Sequence, residues 1–161
     1  MTKITLALDA MGGDRAPDMV VRGAHLARKR HPGLHFLLVG DESRLVRLVR
    51  RKRRLRDNVT IRHTTEVVSN EDRPSAVLRS GRKSSMWLAI EAVKEGEAAG
   101  VVSAGNTGAL MAMAMLQLRT LPGIDRPAIA SFFPTLKGES VMLDLGAKDR
   151  KSTRLNSSHS Q

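Results

Sequence analysis

Ile4-Thr5-Leu6-Ala7-Leu8-Asp9-Ala10-Met11-Gly12-Gly13-Asp14 decides how the rest of the chain is read. Apolar and β-branched residues run straight into a glycine turn, the junction that joins a strand to a following helix. The helix has room to start near Ala16-Pro17, because proline suits a first turn whose N–H would be unpaired anyway. Val20, Val21, Ala24 and Ala27 follow helical spacing, and His31-Pro32-Gly33 stops it. Outward from there the alternation repeats. Residues 34–39 read as a second strand closed by Gly40-Asp41, residues 44–56 as a basic helix, and 59–63 as a third strand. Residues 66–82 read as irregular, and a helix over 84–95 ends at Gly96. Val101-Val102 begins a short buried strand. The turn Ser103-Ala104-Gly105-Asn106-Thr107-Gly108 then opens a helix over 109–119, broken by Pro122-Gly123. Strands at 128–132 and 140–145 complete the pattern. Strands separated by helices of about 10–15 residues predict an α/β fold, with a mostly parallel sheet covered on both faces. Ligands then belong at the carboxyl ends of the strands.

Composition narrows the function classes. A chain of 161 residues with 41% apolar content has the length to bury a core. It contains no cysteine, which excludes a disulfide framework, a thiolate metal site and a cysteine nucleophile. No apolar run approaches the roughly 20 residues of a membrane span. Met1 leads directly into the first strand without the basic start and long apolar core of a signal peptide, so a cytoplasmic protein is expected. The formal charge is +11, but +8 of it falls on Arg44–Arg56 and +3 on the last fourteen residues, leaving the remainder neutral. Three Phe, one Trp and no Tyr leave little for base stacking, and no nucleic-acid partner is expected. The last residues, DRKSTRLNSSHSQ, hold one apolar side chain, Leu155, and residues 148–161 are expected to form a disordered, non-native basic tail.

Two glycine turns carry the chemistry. Both place backbone N–H groups after a strand and before a helix, where unpaired donors and the helix dipole favour an anion. The second adds the Ser103 and Thr107 hydroxyls and the Asn106 amide. Neither turn fits the dinucleotide or Walker fingerprints, and each also reads as a plain connection between elements. Between them lies Arg79-Ser80-Gly81-Arg82-Lys83-Ser84-Ser85-Met86. Its paired hydroxyls suit either a phosphate or an ordinary N-cap.

At these segments the chain resembles the phosphate acyltransferase family of bacterial phospholipid synthesis, the acyl-[acyl carrier protein]:phosphate transacylases. The resemblance runs through Leu8 to Asp14 with Ala16-Pro17, Val39-Gly40-Asp41, Arg73-Pro74 and Lys83-Ser84-Ser85-Met86. It continues through Val102 to Met111, Pro122-Gly123-Ile124-Asp125-Arg126-Pro127-Ala128 and Leu143-Asp144-Leu145-Gly146-Ala147. It implies a three-layer α/β/α homodimer like isocitrate and isopropylmalate dehydrogenases and phosphotransacetylase. It also implies a reaction in which inorganic phosphate and long-chain acyl-[acyl carrier protein] give acyl phosphate, the substrate of a membrane acyltransferase that acylates glycerol 3-phosphate. No cofactor and no metal are required. The implied location is cytoplasmic, with peripheral contact at the inner face of the plasma membrane.

On this reading Asn106, Lys83 and Ser103 are the catalytic residues. Gly12, Gly13, Asp14, Ser84, Ser85, Gly105, Thr107 and Gly108 hold phosphate or substrate, and Asp9 shapes its turn. Family members are longer, and Lys148 stands where they continue with Asn, so residues 1–147 are expected to be the N-terminal portion of that domain. Further active-site residues, dimer helices and a membrane-contacting hairpin belong to the remainder. Two alternatives stay open: an acyl-CoA:phosphate transferase of the phosphotransacetylase type, and a non-catalytic fragment. The cations at 44–56 read as a solvated helix face, or as an attraction for an acidic carrier or anionic lipid. Met111, Met113 and Met115 read as pliable core. His25, His31, His35, His63 and His159 lack metal-ligand spacing.

Overall fold

The computed structural model describes residues 4–136 and 138–143. They form two compact units that divide after Pro127. In the first, β1 (Ile4–Asp9), β2 (Leu34–Gly40), β3 (Val59–His63) and β4 (Gly100–Val102) make one parallel sheet in the order β3-β2-β1-β4. The helices are α1 (Asp18–Arg30), α2 (Glu42–Arg50), α3 (Arg53–Arg56), α4 (Pro74–Ser80), α5 (Ser85–Lys94) and α6 (Thr107–Leu118).

Alternation along the strands sorts the core into two faces. Leu8, Phe36 and Leu38 pack with Val21 and Ala24 of α1, Leu45 and Val49 of α2 and Leu55 of α3. On the opposite face Ala7, Leu37 and Val39 meet Ala89 and Ala92 of α5, small residues that let the helix lie close to the sheet. A further cluster joins Val77 of α4, Met86 and Ile90 of α5, and Ala109 and Met113 of α6. The result is the expected α/β/α arrangement around a parallel sheet.

Local differences from the sequence reading have physical causes. The single basic helix over 44–56 is two helices, broken at Arg51-Lys52, where Lys52 leaves helical geometry at φ −121° and ψ 76°. A continuous helix would put Lys52 on the apolar stripe; the break lets Leu55 re-enter the core fully buried. Residues 66–82 are not wholly irregular, because Pro74 opens α4 and Val77 buries its one firm anchor. Seven residues with so few apolar positions give little periodicity to read. The strand at Val101-Val102 is only half-buried: β4 pairs with β1 alone among the described residues, and Val102 is 54% exposed.

In the second unit β5 (Ala130–Thr135) and β6 (Gly138–Leu143) form an antiparallel hairpin, with Ala130 opposite Leu143 and Thr135 opposite Gly138. The strands expected at 128–132 and 140–145 therefore pair with each other, since so short a connection cannot make the crossover that parallel neighbours need. Positions 144 and 145, and the expected tail at 148–161, lie outside the described residues.

Candidate active site

From β1 the chain steps outward through β2 to β3, then returns to place β4 on the other side of β1. Such a reversal leaves a crevice at the carboxyl ends of the two diverging strands, where open α/β sheets take their ligands. Both glycine turns of the sequence reading end there, one after β1 and one after β4.

Glycine lets them meet. A Cβ on Gly12 would overlap Asp9 Oδ2 and stand 3.0 Å from the Gly105 nitrogen, so the turns pack backbone to backbone. Gly13 has φ +100°, a left-handed conformation that side chains resist, and a Cβ there would lie 3.1 Å from the Ala104 carbonyl oxygen.

Asp9, at the end of β1, is buried at 2% exposure. Ser85 Oγ donates to its Oδ1 at 2.6 Å and Ser103 Oγ donates to its Oδ2 at 2.7 Å. The Met11 N–H donates to Oδ1 at 3.3 Å, and the Gly105 N–H donates to Ser103 Oγ at 3.1 Å. Ser84 is the N-cap of α5: its hydroxyl donates to the Gly81 carbonyl at 2.7 Å and accepts from the Trp87 N–H at 3.3 Å. Both serines expected to hold phosphate are thus buried, one capping its helix and the other turned to Asp9.

Asn106 is likewise engaged. Its Oδ1 accepts from the Ala109 N–H at 3.0 Å, capping α6. Its Nδ2 donates towards the carbonyls of Ser69, Asn70 and Asp72 at 3.3, 3.2 and 3.0 Å. Asp14, exposed, accepts from Asn70 Nδ2 at 3.1 Å. The loop from Thr64 to Asp72 therefore forms a third wall. Thr64 Oγ1 donates to the Lys83 carbonyl at 2.6 Å, tying that wall to the start of α5. Sequence reasoning missed this loop because its polar residues resemble any connection; Asn70 and Asp72 gain meaning only from partners far along the chain. Lys83 and Thr107 are exposed, Thr107 in the first turn of α6 beside Gly108. Among the described residues no cluster of three His, Asp or Glu is placed to hold a metal.

A parallel α/β sheet with paired glycine turns at its reversal point belongs to a defined class. Residues 4–157 match the model of the family described as fatty acid synthesis protein, and the chain belongs to that family. Among its relatives, the phosphate acyltransferase of Rhodospirillum rubrum is 66% identical over 144 residues, or 89% of this chain and 41% of the relative. The phosphate acyltransferase of Paramagnetospirillum magneticum is 62% identical over the same length and shares. That of Rhodospirillum centenum is 63% identical over 145 residues, 90% of this chain and 41% of the relative. The chain spans about 41% of the length of these curated relatives.

Proposed function

We propose that the full-length protein containing this sequence transfers a long-chain acyl group from acyl carrier protein to inorganic phosphate, giving acyl phosphate for phospholipid synthesis. The observation that carries this reading is the meeting of the two glycine turns at the β1/β4 reversal in a chain 66% identical to a named phosphate acyltransferase. Phosphate is already anionic near neutral pH, so attack on a thioester needs no strong base. A phosphate oxygen bonds to the carbonyl carbon, the carbon–sulfur bond breaks, and the proton carried by phosphate passes to the departing sulfur. What remains for the protein is to hold the anion beside the carbonyl and to stabilise the oxyanion.

Backbone donors suit that task. The N–H groups of Thr107 and Gly108 open α6 and have no partner within the helix. The Gly13 and Asp14 N–H groups face them across the Gly12–Gly105 contact in this proposal, with the Thr107 hydroxyl and the Lys83 ammonium beside them. Ser103, Ser84, Ser85 and Asn106 then act through the walls they hold. The cations of α2 and α3 favour an acidic carrier. A dehydrogenase-like homodimer with peripheral membrane contact is part of the same proposal.

The test incubates the full-length protein with acyl-[acyl carrier protein] and phosphate. Phosphate-dependent release of carrier thiol, with acyl phosphate trapped as its hydroxamate, is expected. Thiol release that ignores phosphate, or a preference for acetyl-CoA over the carrier thioester, refutes it.

A further inference from the structure

Asp9 does more than an aspartate in a tight turn requires. Such residues usually bond backbone amides one to three positions ahead, and Asp9 makes one long contact of that kind, to Met11 at 3.3 Å. Its two short bonds come from hydroxyls 76 and 94 residues away, on Ser85 and Ser103. Each carboxyl oxygen holds one of them. Neither partner is a cation, and among the described residues hydrogen bonds rather than an ion pair satisfy the group at 2% exposure.

Both Asp9 oxygens are engaged as acceptors, so they offer an anion nothing directly. Its value there lies in geometry. Hydrogen bonds to Oδ1 and Oδ2 fix three chain segments at once: the end of β1, the first residue of α5, and the corner after β4. Through Ser103 Oγ the constraint passes to the Gly105 N–H and so to the turn that leads into α6. Gly12 closes over Asp9 Oδ2 with no room for a methyl group, which keeps the arrangement rigid.

We infer that Asp9 is a positioning residue for phosphate, a buried three-way clamp that aims the backbone donors of both glycine turns at one point. This rests on the acyl-transfer reading proposed above. Asp9→Asn is nearly isosteric, but its amide nitrogen donates where an oxygen accepted, so one serine must reverse its bond and turn its own proton away from residue 9, which weakens that arm of the clamp. A displacement near 1 Å of groups that orient a reactant costs about 10²-fold. The Asp9→Asn variant of the full-length protein is therefore expected to lose about 10²-fold in kcat/KM for phosphate, with KM for phosphate raised and KM for the acyl donor unchanged. Ser85→Ala removes one arm of the clamp at a residue only 1% exposed, and raises the phosphate KM by a smaller factor. Should Asp9→Asn not fold, this second variant carries the test. In a Ser85→Ala/Ser103→Ala background, Asp9→Asn adds little, because residues acting as a unit are not additive.

Three results overturn the assignment alone, in a wild-type protein that shows phosphate-dependent transfer. One is an unchanged or lowered phosphate KM in both Asp9→Asn and Ser85→Ala. Another is a loss confined to kcat that tracks the folded fraction measured by circular dichroism. The third is an undiminished effect of Asp9→Asn in the serine-free background. A wild-type protein without phosphate-dependent transfer instead overturns the acyl-transfer reading, and this assignment with it.

Discussion

Replacing Asn106 by serine separates two roles that this residue combines. Serine is a good N-cap, so its hydroxyl keeps the bond to the Ala109 N–H at the start of α6. The Nδ2 donors are lost, and with them the ties to the carbonyls of Ser69, Asn70 and Asp72. Three acceptors share two hydrogens, so two hydrogen bonds are the fair count, each worth about 0.5–1.5 kcal/mol net. Partial solvent access favours the low end, which gives about 1–2 kcal/mol of local stability, or roughly 5–30-fold in the opening equilibrium of the loop. Hydrogen–deuterium exchange on a full-length protein containing this sequence reads that number directly. Amides of residues 69–72, among them those of Ser69 and Asp72 that bond Asp72 Oδ2 and the Ser69 carbonyl, should exchange faster by that factor. Amides of the first turn of α6 should not change. Asn106→Ala loosens both regions, the helix start by about 1 kcal/mol. Unchanged protection over 69–72 in the serine variant, or equal loosening of α6 in both variants, refutes the division of roles.

Gly12→Ala forces a methyl group onto Asp9 Oδ2 and should destabilise the fold by about 1–3 kcal/mol in urea unfolding; a neutral result contradicts the packing of the two turns. Asp41 caps α2, and the hydrogen bond from the Ser43 hydroxyl, followed by backbone donors and Arg44, holds its carboxyl below the ordinary value of 3.8. Because the folded value is the lower one, ionised Asp41 adds stability above pH 3.8 that is lost as the pH falls below it. The gap in urea midpoint between wild type and Asp41→Asn should therefore hold above pH 3.8 and narrow as the pH falls below it, and a gap that stays constant there refutes the link. In the full-length protein, on the acyl-transfer activity proposed above, replacing Arg44, Arg47, Arg50 and Arg51 with glutamine should raise KM for the carrier-linked donor at low salt. At about 1 M salt, where charges are screened within about 3 Å, the two proteins should agree; equal effects at both ionic strengths rule out steering.

Much of the fold was legible because strand and helix periods differ so clearly in this chain. Leu8, Phe36 and Leu38 against Ala7, Leu37 and Val39 already encode a sheet buried on both faces, and the glycine turns mark where its strands end. Legibility failed where one side chain outweighs periodicity. Lys52 breaks a helix that the surrounding arginines would have continued, and a single buried valine, Val77, holds a helix in a polar stretch. At the site, local sequence located the turns but not the direction of their side chains. Ser85 and Ser103 look like free donors until Asp9 is seen between them, and the Asn106 amide looks available until Ser69, Asn70 and Asp72 are folded against it. Those partners are 34 to 94 residues distant, beyond the reach of any spacing rule.

The central position of the first strand has a consequence for biogenesis. In the sheet β1, β2 and β3 lie side by side in the order in which the ribosome makes them. Asp9 must wait 76 residues for Ser85 and 94 for Ser103. Vectorial synthesis therefore delivers the first three strands before both hydroxyls that satisfy Asp9, and a translation intermediate stalled ahead of residue 103 still lacks one that this carboxyl group uses when buried.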